Sequence, residues 1–137
     1  MREILFKAKI LDNGEWVCWN IYGELCRLSG KRTRLAIKNG ATTHYYDYIY
    51  QVIERIDKNT ICQYTGLTDK NGNKVFIGDI VRCSRGCAHE VIWLEEYGGT
   101  YVGGMPAIYL SRLNNGYAWT NSEEVIGNIF DNKDLLQ

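Results

Sequence analysis

Apolar and polar residues alternate over residues 4–9, give way to Asp12-Asn13-Gly14, and alternate again over residues 16–22. A period of two marks a strand with one buried face, and Asn-Gly between two such runs is a strong hairpin signal. The start of the chain therefore predicts a β-hairpin, with Trp16, Cys18, Asn20 and Tyr22 on one face of its second strand. Residues 27–44 lose the period and carry turn signals at Ser29-Gly30 and Asn39-Gly40. They predict a long loop with one short strand over residues 34–38. Residues 45–56 fit two patterns: a helix stacks Tyr45, Ile49, Val52 and Ile56, whereas a strand groups Tyr46, Tyr48, Tyr50 and Val52. Aromatic and β-branched content, with the Asp57-Lys58-Asn59 turn that follows, favours the strand. From residue 60 onward the chain reads as short strands, at residues 74–76, 80–83, 88–94, 100–102, 107–113 and 125–129, and ends in one helical turn over residues 131–136.

Composition strengthens the β reading. One proline stands against fourteen glycines, ten tyrosines and four tryptophans, and aromatics fit pleated surfaces while glycines supply turns. A chain of 137 residues is long enough for one self-sufficient core. So many short strands in its second half bury a core only by curling the sheet into a small, strongly bent barrel. Residues expected in that core or its closing contacts are Phe76, Ile80, Val91, Trp93, Leu110, Val125 and Ile129.

The second half also carries an extended motif. It runs through Gln63-Tyr64-Thr65-Gly66-Leu67, Asp69-Lys70-Asn71-Gly72-Asn73-Lys74 and Val75-Phe76-Ile77-Gly78-Asp79-Ile80-Val81, and closes with Glu124-Val125-Ile126-Gly127-Asn128-Ile129. With weaker echoes in Arg2-Glu3-Ile4-Leu5-Phe6 and Asn13-Gly14-Glu15-Trp16-Val17, this pattern resembles the YopX family of small phage and prophage proteins. The resemblance implies a mainly β protein, with an N-terminal hairpin region over residues 1–60 packed on an SH3-like barrel over residues 61–137 as one folding unit. It implies an origin in a bacterial host cell and says more of fold than of chemistry, because the family has no assigned activity; a non-enzymatic role is the expectation.

Charge narrows the partners. Sixteen Lys/Arg balance sixteen Asp/Glu over the whole chain, although residues 1–60 carry +3 and residues 61–137 carry −3. A neutral chain gives no general pull towards polyanions. No window approaches the ~20 consecutive apolar residues of a membrane span, so no membrane partner is expected. The five cysteines, Cys18, Cys26, Cys62, Cys83 and Cys87, are odd in number and irregular in spacing. No apolar signal stretch follows Met1, and the expectation is reduced thiols in the bacterial cytoplasm.

Candidate chemistry is sparse. Asp79 follows a glycine in the strongest motif, but a lone acid at a strand start more often fixes a turn through backbone N–H groups than abstracts protons. Cys83, Cys87 and His89 combine thiol and imidazole, the ligand types zinc prefers, and Gly86 would let the loop wrap an ion. A structural site takes four ligands, however, and a fourth would have to come from Cys62 or His44 elsewhere in the chain. The expectation is ordinary loop thiols, no bound metal and no cofactor. Neither the serines nor the Gly98-Gly99 and Gly103-Gly104 pairs sit in a nucleophile or phosphate-loop motif, so no catalytic residue is expected.

One segment argues for binding. Arg27, Lys31, Arg32, Arg34 and Lys38 occur with no acid between Glu24 and Asp47, and the tyrosines follow directly. Lys/Arg for phosphates and aromatic faces for bases make a nucleic-acid surface. An aromatic row poor in charge equally makes a homo-oligomeric interface. Both readings rest on Tyr46, Tyr48, Tyr50, Arg32, Arg34 and Lys38. The neutral chain favours a self-associating protein-interaction module, with an unidentified protein partner besides; nucleic acid is the alternative, and a metal- or thiol-dependent enzyme ranks last.

Overall fold

The computed structural model describes residues 3–28, 34–94, 107–110, 117–118 and 122–136. The chain divides into two compact units, residues 1–64 and 65–137, four residues beyond the boundary the sequence predicts.

In the first unit, β1 (Leu5–Ile10) and β2 (Trp16–Asn20) form the expected hairpin, in register from Leu5↔Asn20 to Lys9↔Trp16. Its loop is closed by Gly14 N–H donating to Ile10 O at 2.8 Å and by Asn13 Oδ1 accepting from Glu15 N–H at 2.9 Å. The second strand stops two residues short of Tyr22. Asn20 Oδ1 accepts the N–H groups of Tyr22 and Glu24, each at 3.0 Å, an Asx turn that swings the chain back into β3 (Leu25–Cys26) beside β2. Tyr22 consequently sits on a turn and not on a strand face.

Residues 34–46 fold as a second hairpin, β4 (Leu35–Asn39) with β5 (Thr42–Tyr46), around Asn39-Gly40. The strand at residues 34–38 is thus present, shifted by one residue, and has a partner where a loop is expected. The strand expected over residues 45–56 ends at Tyr46. Gln51 Oε1 accepts the N–H groups of Asp47 and Tyr48 at 2.9 and 3.0 Å. That bond starts the 3-10 turn Ile49–Gln51, and a second, Ile53–Arg55, follows. Spacing of three and four then puts Ile49, Val52 and Ile56 inside with Ala8, Ile10, Val17, Leu25 and Ile37, while Trp19, Leu35 and Tyr46 pack against this core. The helical grouping of Ile49, Val52 and Ile56 was the sounder half of the ambiguity; its fourth member, Tyr45, faces water.

β6 (Ile56–Thr68) pairs antiparallel with β1 and runs on into the second unit, where its end neighbours β7 (Lys74–Phe76). The turn expected at Asp57-Lys58-Asn59 is a bulge inside this strand. Asp57 Oδ1 accepts Asn59 N–H, and the Thr60 hydroxyl donates to Asp57 O at 2.6 Å while accepting Lys9 N–H at 2.8 Å. The extra residues therefore loop out without breaking the pairing to β1.

The second unit adds β8 (Asp79–Arg82), β9 (Ala88–Leu94), β10 (Ala107–Leu110), β11 (Tyr117–Ala118) and β12 (Glu124–Asn128), all antiparallel in the order β11-β10-β9-β8-β12. The protein is mainly β, as expected. No ladder among the described residues joins β11 to β12 to close this sheet into the SH3-like barrel that the resemblance implies. Val75, Val81 and Val91 form the core with Leu67 and Val125 against them, and Phe76 and Ile80 are fully buried. Ile129 is half-buried. Trp93 and Leu110 lie on β9 and β10, but their side chains, like the expected strand at residues 100–102, fall outside what is described. Lys133–Leu136 forms the closing turn as 3-10 helix.

Gly127 in β12 has no room for a side chain, since a Cβ there would lie 2.9 Å or less from three side-chain atoms of Asn132. Asn132 is itself held, accepting Asn128 N–H at 3.2 Å through Oδ1. Gly127→Ala is expected to lower stability by ~1–3 kcal/mol through overpacking, read as a lower urea midpoint with unchanged slope. An unchanged midpoint would show that Asn132 is not needed where it stands.

Candidate functional site

The loop between β8 and β9 is a tight hairpin. Gly86 N–H donates to Cys83 O and Cys83 N–H donates to Cys87 O, both at 2.9 Å, and Gly86 takes φ +87°, which a side chain would resist. The ladder Ile80↔Glu90, Val81↔His89, Arg82↔Ala88 continues to Cys83 opposite Cys87. Because side chains alternate across a strand, Cys83, Cys87 and His89 share one face while Glu90 takes the other. One ligand atom from each of the three lies within 4.8 Å of the others. Cys87 is exposed, Cys83 half-buried and His89 buried. Of the two residues considered as a fourth ligand, His44 lies on β5 and Cys62 on β6, and neither is in this group. None of the five cysteines forms a disulfide.

The expected binding residues separate. Arg32 falls outside the described residues. Lys38 is exposed on β4 opposite Thr43. Arg34 is engaged by Asp47 through Nε to Oδ1 and Nη2 to Oδ2, both at 3.3 Å, and lies 5.4 Å from the Tyr45 ring centre. The hydrogen bond to Asp47 and then its charge raise the guanidinium pKa further. Tyr46 leans on the core, with the Arg55 guanidinium 5.9 Å from its ring centre. Tyr48 and Tyr50 stack at 5.3 Å between centroids and 20° between planes.

Two exposed residues that the sequence reading did not single out as surface lie beside this pair. Ile49 N–H donates to Gly23 O at 2.8 Å, Leu25 N–H donates to Asp47 O at 3.0 Å, and Glu24 bridges Tyr48. The turn carrying Ile21 and Tyr22 therefore adjoins the turn carrying Tyr48 and Tyr50. Relative exposure is 82% for Tyr22, 68% for Tyr50, 63% for Ile21 and 57% for Tyr45. The signal was Asn20 followed by Gly23, an Asx turn that ejects the residues between them.

The motif acids serve the backbone. Asp79 is buried and accepts Phe76 N–H at 2.8 Å through Oδ2, the turn-fixing role expected of it. Asp69 is also buried. Its Oδ1 accepts Asn71 and Asn73 N–H, and its Oδ2 accepts Val125 N–H and the Asn73 side-chain amide, at 2.8–3.2 Å. Burial opposes the charge on Asp69, but these donors outweigh it and hold its carboxyl below the usual range.

Comparison with known proteins agrees with the motif. A family whose description is YopX protein matches residues 11–137. The fold is similar to the crystal structure of protein EF1440 from Enterococcus faecalis, with a TM-score of 0.50 and 22% sequence identity over 98% of each chain. No curated protein matches the chain significantly.

Because its folded-state pKa is depressed, Asp69 contributes stability that is fully present above the ordinary carboxylate value of ~3.9. That contribution is lost as pH falls through the lower folded-state value. Asp69→Asn should be destabilised at neutral pH, and the gap to wild type should narrow on acidification, measured as paired urea midpoints. A gap independent of pH would mean that the charge on Asp69 is not what holds the turn.

Proposed function

The chain belongs to the YopX family, and from that premise we propose that it is a non-enzymatic interaction module that pairs with a second copy of itself through the tyrosine surface of its first unit. The observation that carries this reading is the stacked Tyr48–Tyr50 pair beside the exposed Ile21-Tyr22 turn. Aromatic side chains with few rotatable bonds make the centre of protein interfaces, and the acids beside this pair are already engaged, Asp47 with Arg34 and Glu24 with Asn20. We place the protein in the cytoplasm of a bacterial host carrying a phage or prophage, with a further protein partner to be recruited by the assembled form.

Nucleic-acid binding is the second reading, supported by Lys38 and the same tyrosines. It is weakened by Asp47, which neutralises Arg34 by a two-point fork, leaving less charge to displace counterions from a phosphate backbone. Catalysis by a metal or a thiol ranks third: His89 lies beside Cys83 and Cys87, but an imidazole next to a thiol does not by itself supply the oxyanion site that nucleophilic catalysis needs.

Replacing Tyr22 and Tyr50 with Ser removes exposed rings that the core does not use, so folding is spared. Self-association should weaken by tenfold or more, which corresponds to ~1.4 kcal/mol, in sedimentation equilibrium, and raised salt should have little effect on the wild-type assembly. A monomeric wild type overturns the reading. If that monomer also binds a random single-stranded oligonucleotide and loses it steeply with salt, the nucleic-acid reading takes its place.

A further inference from the structure

The face shared by Cys83, Cys87 and His89 does more than close a hairpin. Two thiol sulfurs and an imidazole nitrogen come within 4.8 Å of one another with the loop backbone already fixed by two hydrogen bonds of 2.9 Å. Zinc bonds of ~2.3 Å to sulfur and ~2.0–2.1 Å to nitrogen place tetrahedral ligand atoms about 3.5–3.8 Å apart. The three side chains therefore need to close by about 1.0–1.3 Å at most, within the reach of χ rotations. No strand register has to change. Cys83 and Cys87 face each other across the last rung, and His89 follows two residues on along the same face.

We propose that Cys83, Cys87 and His89 bind a single zinc ion at the β8–β9 turn, with water in the fourth position of the isolated protein. Soft thiolates exclude magnesium and calcium, which take oxygen ligands. Each thiol gives up its proton to solvent as its sulfur–zinc bond forms, so binding releases protons and weakens as pH falls. Exposure is graded along the site, from the open Cys87 through Cys83 to the buried His89, which gives the ion an entry path from solvent and an anchor at the edge of the core. Val81 shares the His89 rung, and Val91 is the next residue on the same face of β9. Holding that rung couples the ion to the valine core of the second unit.

The test uses the full chain, reduced and stripped with a chelator. Zinc titration should saturate at one ion per chain and raise the thermal midpoint. Cobalt(II) in its place should give a thiolate-to-metal charge-transfer band. Cys87→Ser, at an exposed position that leaves folding intact, should cut that band by about half or more and weaken zinc binding by more than the ~10–100-fold that loss of an outer-shell partner costs. Cys26→Ser, on β3 of the first unit, should leave both unchanged. The proposal is overturned if the reduced wild type takes up no zinc, or if zinc affinity and the intensity of the cobalt band are unchanged in Cys87→Ser. It is also overturned if magnesium competes as well as zinc does, because an oxygen site elsewhere would then hold the ion.

Discussion

The second unit hangs on two buried carboxylates that accept backbone N–H groups. Asp69 gathers the turn Asn71-Gly72-Asn73 and, through Val125 N–H, the start of β12 onto one side chain. Lys70 N–H to Glu123 O at 3.0 Å and the Asn71 amide to Glu124 Oε2 at 2.9 Å reinforce the same junction. Asp79 does the equivalent for the step from β7 to β8 by holding Phe76 N–H. A buried charge is tolerable only when its lone pairs are filled, and four donors converge on Asp69. The acids of the motif are therefore tied to chain geometry: Asp69 holds Val125, at the start of β12, beside the turn from which β12 runs along β8.

How far the sequence could be read follows from which interactions are local. Asn13-Gly14 and Asn39-Gly40 commit the backbone within four residues, so both turns were legible and the first hairpin followed from its turn. The second did not, since Thr42-Thr43-His44-Tyr45-Tyr46 has no apolar alternation to mark it as a strand. The two 3-10 turns within residues 49–55 were only half legible, as the helical spacing of Ile49, Val52 and Ile56 set against a favoured strand. The deciding bond runs from Gln51 Oε1 to the N–H groups of Asp47 and Tyr48, a side-chain cap that leaves no trace in hydrophobic periodicity. Asp57-Lys58-Asn59 carried a true turn signal, but β1 continues to pair on both sides of it, and long-range pairing turned a break into a bulge.

The cysteine cluster shows the same dependence on register. Spacing alone makes Cys83-x-x-x-Cys87-x-His89 a poor zinc motif, because three intervening residues usually carry two side chains apart. Gly86 in the left-handed region shortens the effective path: its turn sets Cys83 opposite Cys87, and the alternation of β9 returns His89 to their side. Reading that arrangement in advance requires the hairpin's type, which follows from Gly86 at the turn's fourth position more directly than from the cysteines themselves.

What a charge run offers depends on pairing for a related reason. The stretch between Glu24 and Asp47 is free of acids in sequence, the pattern of a phosphate-binding strip. The β4–β5 ladder pairs Leu35 with Tyr46, and one step further along the same ladder Arg34 meets Asp47, the acid that ends the stretch. The run thus brings its own counterion, at the open end of its hairpin, in a fork at 3.3 Å that is still exposed and screened by salt. With that guanidinium engaged, the uncommitted surface at this end of the first unit is chiefly aromatic: Tyr45 under the Arg34 plane, Tyr48 against Tyr50, and Tyr22 on the adjoining turn. On the proposed reading, such a surface gains by excluding water against another copy of itself, whereas the attraction of phosphates depends on the cations around it.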